Sequence, residues 1–266
     1  MQNFTKYDKI DQRDRKEFDI IMIKNKKLLV ILSVIFLSVE AALGVLLQTA
    51  QHLTPINLRY TAVVLACLFF ILFAEKSLSF LFTMLALVCT VGADYFLVYS
   101  EEMQQLPAML FFSVTQIAYF LRLYFEDKSK TRSLVHLICR AIISAVAVGA
   151  TFAVLRDSAD AVAVVSMFYY ANLILNIVFA FIAFEKPGVF AIGLLLFVLC
   201  DTVIGLSLIN TYLPIPEGSF IYKLINPGFD LAWAFYLPSQ ALLAISLLPK
   251  RMRMKNPLII KPNLTK

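Results

Sequence analysis

Residues 188–210 read GVFAIGLLLFVLCDTVIGLSLIN, an apolar run interrupted by a single charged residue, Asp201. Coiled as a helix at 1.5 Å per residue, the run reaches about 33 Å, enough to cross the roughly 30 Å hydrocarbon core of a bilayer. Hydrocarbon offers no partners to backbone N–H and C=O groups, so such a run must satisfy them internally, as a helix does. Seven further runs of this kind lie outward from it, at 28–49, 59–75, 78–99, 106–125, 133–155, 160–184 and 229–249. The expected fold is therefore all-α, a polytopic membrane bundle of eight transmembrane helices. The whole-chain composition agrees. Of 266 residues, 60% are hydrophobic and 16% charged, and a mean hydropathy of +0.79 excludes a water-soluble fold, which could not hide that much apolar surface.

The basic residues set the orientation. Residues 1–27 carry eight Lys/Arg, residues 250–266 carry six, and the turn after the fourth run holds Lys128, Lys130 and Arg132. The opposite side offers Arg59, Arg156 and Lys223. Positive charge is retained in the cytoplasm, so the expectation is a cytoplasmic N-terminal arm (1–27), a transmembrane domain (28–249) and a basic cytoplasmic tail (250–266). Both termini then face the cytoplasm of a bacterial plasma membrane. The arm lacks the apolar core and cleavage site of a signal peptide. The net charge of +6 reads as a topology signal, with no nucleic-acid partner. The connection 211–228, with Pro214, Pro216 and Pro227, becomes an external loop long enough to serve as a lid. Cys67, Cys89, Cys139 and Cys200 each stand alone in an apolar run and read as reduced core residues.

Asp94 and Asp201 carry the functional argument, because a carboxylate in hydrocarbon costs roughly 3 kcal/mol or more. Both spans run outward, and at 1.5 Å per residue the two acids lie about 24 Å and about 20 Å from the inner ends of their helices. They can meet at one depth in the outer half. Two carboxyls sharing a low-dielectric cavity give one acid and one base, as hydrolysis of an acid-labile bond requires. Glu40, mid-span in the first run, is either a third cavity acid or a partner for Arg140 or a backbone group.

Other polar side chains recur at helical spacing. Gln116, Tyr119 and Arg122 share a face of the fourth span and suggest cavity lining. Tyr169, Asn172 and Asn176 form a stripe on the sixth, suited to ligand contact or to bonds between helices. Tyr236 and Gln240 flank Pro238, which frees the carbonyl of Ala234. Trp233 and Tyr212 read as interfacial anchors. No GxSxG, HExxH, P-loop or dinucleotide motif occurs. The histidines, His52 and His136, are too few for a metal cluster, so carboxyl chemistry is what remains. Two other uses of the acids stay open: simple helix packing, or a proton- or cation-coupled transporter or lipid-binding protein.

VGADYFLV (91–98), FFSVTQIAYFL (111–121), AIGLLLFVLCDTVIGL (191–206) and FYLPSQALLAISL (235–247), in this order, resemble the YhhN-like, or lysoplasmalogenase, membrane proteins over roughly residues 30–248. The most specific part is Gly193, Phe197 and Cys200-Asp201, followed by Tyr236 and Gln240. Gln116 stands where the family commonly has His, Cys200 where it has Ser, and a family Lys-Pro near the second span is missing. The resemblance implies cleavage of the vinyl ether bond of a single-chain phospholipid, a lysoplasmalogen, to a fatty aldehyde and a glycerophospho-amine. It implies Asp94 and Asp201 as the acid/base pair, with Gln116, Tyr119, Tyr170, Asn172, Asn176, Tyr236 and Gln240 about the substrate. The aliphatic chain would lie between helices open to membrane lipid. No metal or organic cofactor is demanded.

Overall fold

The computed structural model describes residues 4–49, 56–100, 102–183 and 188–249, with side chains from residue 27 onward apart from those of Ile56 and Thr211. His52 and the tail 250–266 lie outside the described residues. Among the described residues the fold is helical without strands. The helices are α1 (Phe4–Thr49), α2 (Ile56–Phe73), α3 (Leu78–Asp94), α4 (Gln105–Glu126), α5 (Lys130–Leu155), α6 (Ala161–Ala183), α7 (Val189–Tyr212), α8 (Phe220–Ile225) and α9 (Leu231–Ile245). Each of the eight apolar runs centres on one helix, the third continuing past the end of α3 to Tyr99. Among the described residues, six helical segments are long and apolar enough to cross a membrane, the first of them Lys27–Thr49 within α1, which marks the chain as an integral membrane protein. The second and last runs form shorter apolar helices, Asn57–Phe73 and Leu231–Ile245. The connection expected as a loop, 211–228, contains α8.

Capping residues set several boundaries. The side-chain oxygens of Ser77, Ser129, Ser219 and Asp230 accept from backbone N–H groups in the first turns of α3, α5, α8 and α9, which satisfies donors that a helix start leaves free. Gly228, at φ 79°, supplies the left-handed turn that leads the chain into α9.

α3 packs on α4, α4 on α6, α7 on α9, and α6 on both α5 and α7. α1 and α5 are peripheral, and Leu28, Ile35, Val45, Ile142 and Val146 on them stay exposed. Hydrocarbon is the solvent for such a surface, so the polar residues turn inward: Glu40, Asp94, Gln116, Arg122, Asn172, Asn176, Asp201 and Gln240 are all buried. The four cysteines are free, three of them buried and Cys139 half-buried.

The turn between α4 and α5 is tied by one ion pair. Arg132 Nε and Nη2 donate to the two oxygens of Asp127 at 2.5 and 2.7 Å, and the Ser129 N–H donates to Oδ1 at 2.8 Å. The Arg132 hydrogen bonds hold the Asp127 carboxyl below the usual carboxylate range. A lowered folded value means that the stabilisation is present above the unfolded value of about 3.9 and is lost as pH falls through the folded one. Asp127→Asn is expected to lower the melting temperature slightly at about pH 6, with the difference from wild type shrinking toward about pH 3. Thermal scans at the two pH values check it.

Candidate active site

Two layers of polar contacts cross the bundle. In the first, Arg122 of α4 donates to Thr83 Oγ1 of α3 at 3.1 Å, Ser246 Oγ beyond α9 at 2.9 Å and Glu126 at 3.3 Å. Its guanidinium also lies 3.8 Å from the ring centre of Phe190 on α7. One buried cation thus fastens four segments. This face of α4, expected as cavity lining, is a structural staple at Arg122.

The second layer holds the acids. Asp94, the last residue of α3, is 3% exposed and Asp201 of α7 is 4% exposed. Both line a single cavity of about 220 Å³, walled chiefly by apolar side chains from the turn after α3 and from α4, α6, α7 and α9, including Met109, Phe112, Ile204 and Trp233. Immediately after Asp94 the backbone rewinds into a π-helical turn, Tyr95–Tyr99, a feature that recurs at functional sites because it re-aims the side chains beside it. Tyr236 donates its hydroxyl to Asp94 Oδ2 at 2.5 Å. Asp201 Oδ2, by contrast, has no hydrogen-bond partner among the described residues. Tyr169, from α6, lines the cavity beside Asp201.

Beside the cavity residue Trp233, Arg59 pairs with Asp230 at 2.8 Å and lies over the Trp233 ring, 5.4 Å from its centre. Gln48 of α1 closes a two-way bond with the Asp230 backbone at 2.7 and 3.0 Å. Trp233, read from sequence as an interfacial anchor, thus belongs to the cavity wall, packed at 90° against Tyr236. The other expected anchor, Tyr212, donates to Asp160 at 3.0 Å.

The remaining expected site residues divide. Tyr170 hydrogen-bonds Thr202 at 2.7 Å and lines a second cavity of about 340 Å³ that also reaches Asp201. Gln116, Tyr119, Asn172, Asn176 and Gln240 line neither of these cavities. Arg140 of α5 is the reason for two of them: its guanidinium donates to the side-chain oxygens of Asn172 and Asn176, and Asn176 in turn donates to the Gln116 side chain at 3.0 Å. Asn172 and Asn176 of the α6 stripe therefore serve contacts between helices, while Tyr169 faces the cavity. Gln116 Nε2, Tyr119 Oη and both polar side-chain atoms of Gln240 are buried without partners among the described residues. Gln116 and Gln240 lie one turn, about 6 Å of helix, beyond the cavity residues Phe112 and Tyr236.

Glu40 is buried with neither carboxylate oxygen partnered among the described residues, and it lines neither cavity. Arg140 is engaged with the asparagines. Trp233 is a cavity residue that spacing alone did not single out, while Tyr169 stood in the α6 stripe but outside the expected substrate residues. Their signal was position, since Trp233 and Tyr236 share a helix face three residues apart and Tyr169 heads the α6 stripe. Among the described residues, no group of three or more His, Cys, Asp or Glu side chains is placed to hold a metal ion.

No curated protein and no solved structure matches the chain. Residues 55–247, from before α2 to just past α9, match the family model described as the YhhN family. That region contains both acids, Tyr236 and the whole cavity wall, and leaves α1 outside it. With most of its length matched, this chain belongs to the YhhN family.

Proposed function

We propose that the protein is a membrane hydrolase that cleaves the vinyl ether bond of lysoplasmalogen-type lipids, with Asp94 and Asp201 as its acid/base pair. The observation that carries this reading is that two buried carboxyls from separate spans line one apolar-walled cavity. Eight crossings, with both termini in the cytoplasm of a bacterial plasma membrane, would open that cavity toward the outer leaflet; the Lys/Arg asymmetry supports this orientation.

The hydrogen bonding supports one division of labour. On this reading Asp94, which accepts from Tyr236, acts as the carboxylate, and Asp201, beside Tyr169 and with no donor on Oδ2 among the described residues, carries the proton. Asp201 protonates the vinyl carbon remote from oxygen, leaving an oxocarbenium ion. Water adds to the carbon beside oxygen while Asp94 takes its proton, giving a hemiacetal. As that collapses, the hemiacetal hydroxyl proton returns to Asp201, Asp94 protonates the glyceryl oxygen, and the C–O bond breaks. The products are a fatty aldehyde and a glycerophospho-amine, and both carboxyls end as they began. Tyr236 and Tyr170 contact substrate. Gln116, Tyr119, Asn172, Asn176 and Gln240 support the site from behind the cavity wall.

The test is aldehyde release from a lysoplasmalogen by the purified full chain in detergent. No aldehyde above a protein-free control, together with proton flux in liposomes, overturns the reading in favour of transport. Tyr236→Phe keeps the ring packing and removes one hydrogen bond to a charged group, worth roughly 1.5–3 kcal/mol. It is expected to lower kcat by about tenfold or more with KM little changed, measured by steady-state aldehyde kinetics.

A further inference from the structure

The cavity of about 340 Å³ lies among α5, α6 and α7 and differs in character from the acid cavity. Away from Asp201, Val154, Met167, Ile209 and Leu213 line it. Val154 is 62% exposed and Leu213 48%, so the cavity opens on the bundle's apolar flank. At its inner end it shares Met109, Tyr169, Asp201, Ile204 and Leu208 with the acid cavity. The two spaces therefore meet at the carboxyl that the mechanism uses as acid. Gly205, four residues and one turn after Asp201, lines this space, and a Cβ built on it meets nothing within 4 Å.

We infer that the α5–α6–α7 cavity is the slot for the aliphatic chain of the single-chain lipid, and that Gly205 sets how much chain it admits. The inference rests on the proposed hydrolase reading for the identity of the lipid. The argument for this occupant is continuity: a vinyl ether bond held at Asp201 has its headgroup on one side and a long hydrocarbon on the other. The ion pair Arg59–Asp230 stands beside Trp233 of the acid cavity, whereas the second cavity offers an apolar wall and an opening toward the acyl region of the membrane. A chain entering there passes no ion pair among the residues that line it.

The probe is a single-chain phosphocholine bearing a diazirine at the end of a long saturated chain, photolysed with the full chain in nanodiscs and mapped by mass spectrometry. Label is expected on residues 150–155 and 163–167, displaced by excess unlabelled single-chain lipid. Gly205→Leu projects an isobutyl group into the slot and is expected to cut that label by at least about fivefold, the equivalent of roughly 1 kcal/mol of overpacking. Gly44→Leu on α1, where an added Cβ also meets nothing within 4 Å, is expected to leave it unchanged. Label spread equally over exposed Leu81 and Leu85 of α3, or label unaltered by Gly205→Leu, overturns the assignment. Labelling needs no turnover. Concentrated label without aldehyde release keeps the slot and removes the hydrolase reading; aldehyde release with dispersed label does the reverse.

Discussion

Asp94→Asn and Asp201→Asn are each expected to lower aldehyde release from a lysoplasmalogen by about 100-fold or more, the usual contribution of a positioned acid or base. Asn matches Asp in size and keeps an oxygen that can accept the Tyr236 hydroxyl, so neither change should empty or overfill the cavity wall. Both variants should elute and melt like wild type, which separates lost chemistry from lost fold. The double variant should be little slower than the worse single one, because the two carboxyls act on one proton path and their effects do not add. If either single variant hydrolyses at the wild-type rate, the acid–base pair is wrong. Because Asp201 is assigned the proton and Asp94 the negative charge, their pH–rate profiles should also lose opposite limbs.

The second large effect is expected at Gly193. A Cβ placed there would stand 3.0 Å from two Leu243 side-chain atoms and 3.3 Å from the Leu243 backbone nitrogen. The neighbouring Ser239 hydroxyl donates to the Gly193 carbonyl at 2.8 Å. α7 and α9 are in backbone contact here, the close approach that small residues allow between membrane helices. Gly193→Val should cost about 1–3 kcal/mol through overpacking and push α7 from α9. Asp201 stands on α7 about two turns beyond, and Tyr236 on α9 about one turn before Gln240, so the displacement separates the acids' supports as well. A lowered melting temperature in detergent together with lost aldehyde release is the expected result, while Gly205→Leu on the same helix should keep both its melting temperature and its fold. A Gly193→Val protein as stable as wild type would contradict the contact.

The eight apolar runs and the charged turns between them were legible because length and hydropathy are local properties of the chain. So was the unusual cost of Asp94 and Asp201 in hydrocarbon, and helical rise alone put them at similar depth. The α6 stripe shows where that reasoning stops. Asn172 and Asn176 at helical spacing look the same whether they face a substrate or a neighbouring helix, and Arg140, more than thirty residues away, decided for the helix. Trp233 shows the converse: an aromatic near a helix start is a plain interfacial anchor by pattern, yet the packing of α9 on α7 and α2 turns it into cavity wall.

The solvent of this protein, the number of apolar runs and the two residues whose burial demands a reason can be read along the chain, since each follows from transfer free energy summed along a short window. It took the packed bundle to show that the acids line one cavity, that a second cavity reaches Asp201, and that five of the seven expected substrate residues stand outside both. Those facts depend on which helix faces each one turn, and facing is settled by close packing and hydrogen bonds between segments far apart in the chain.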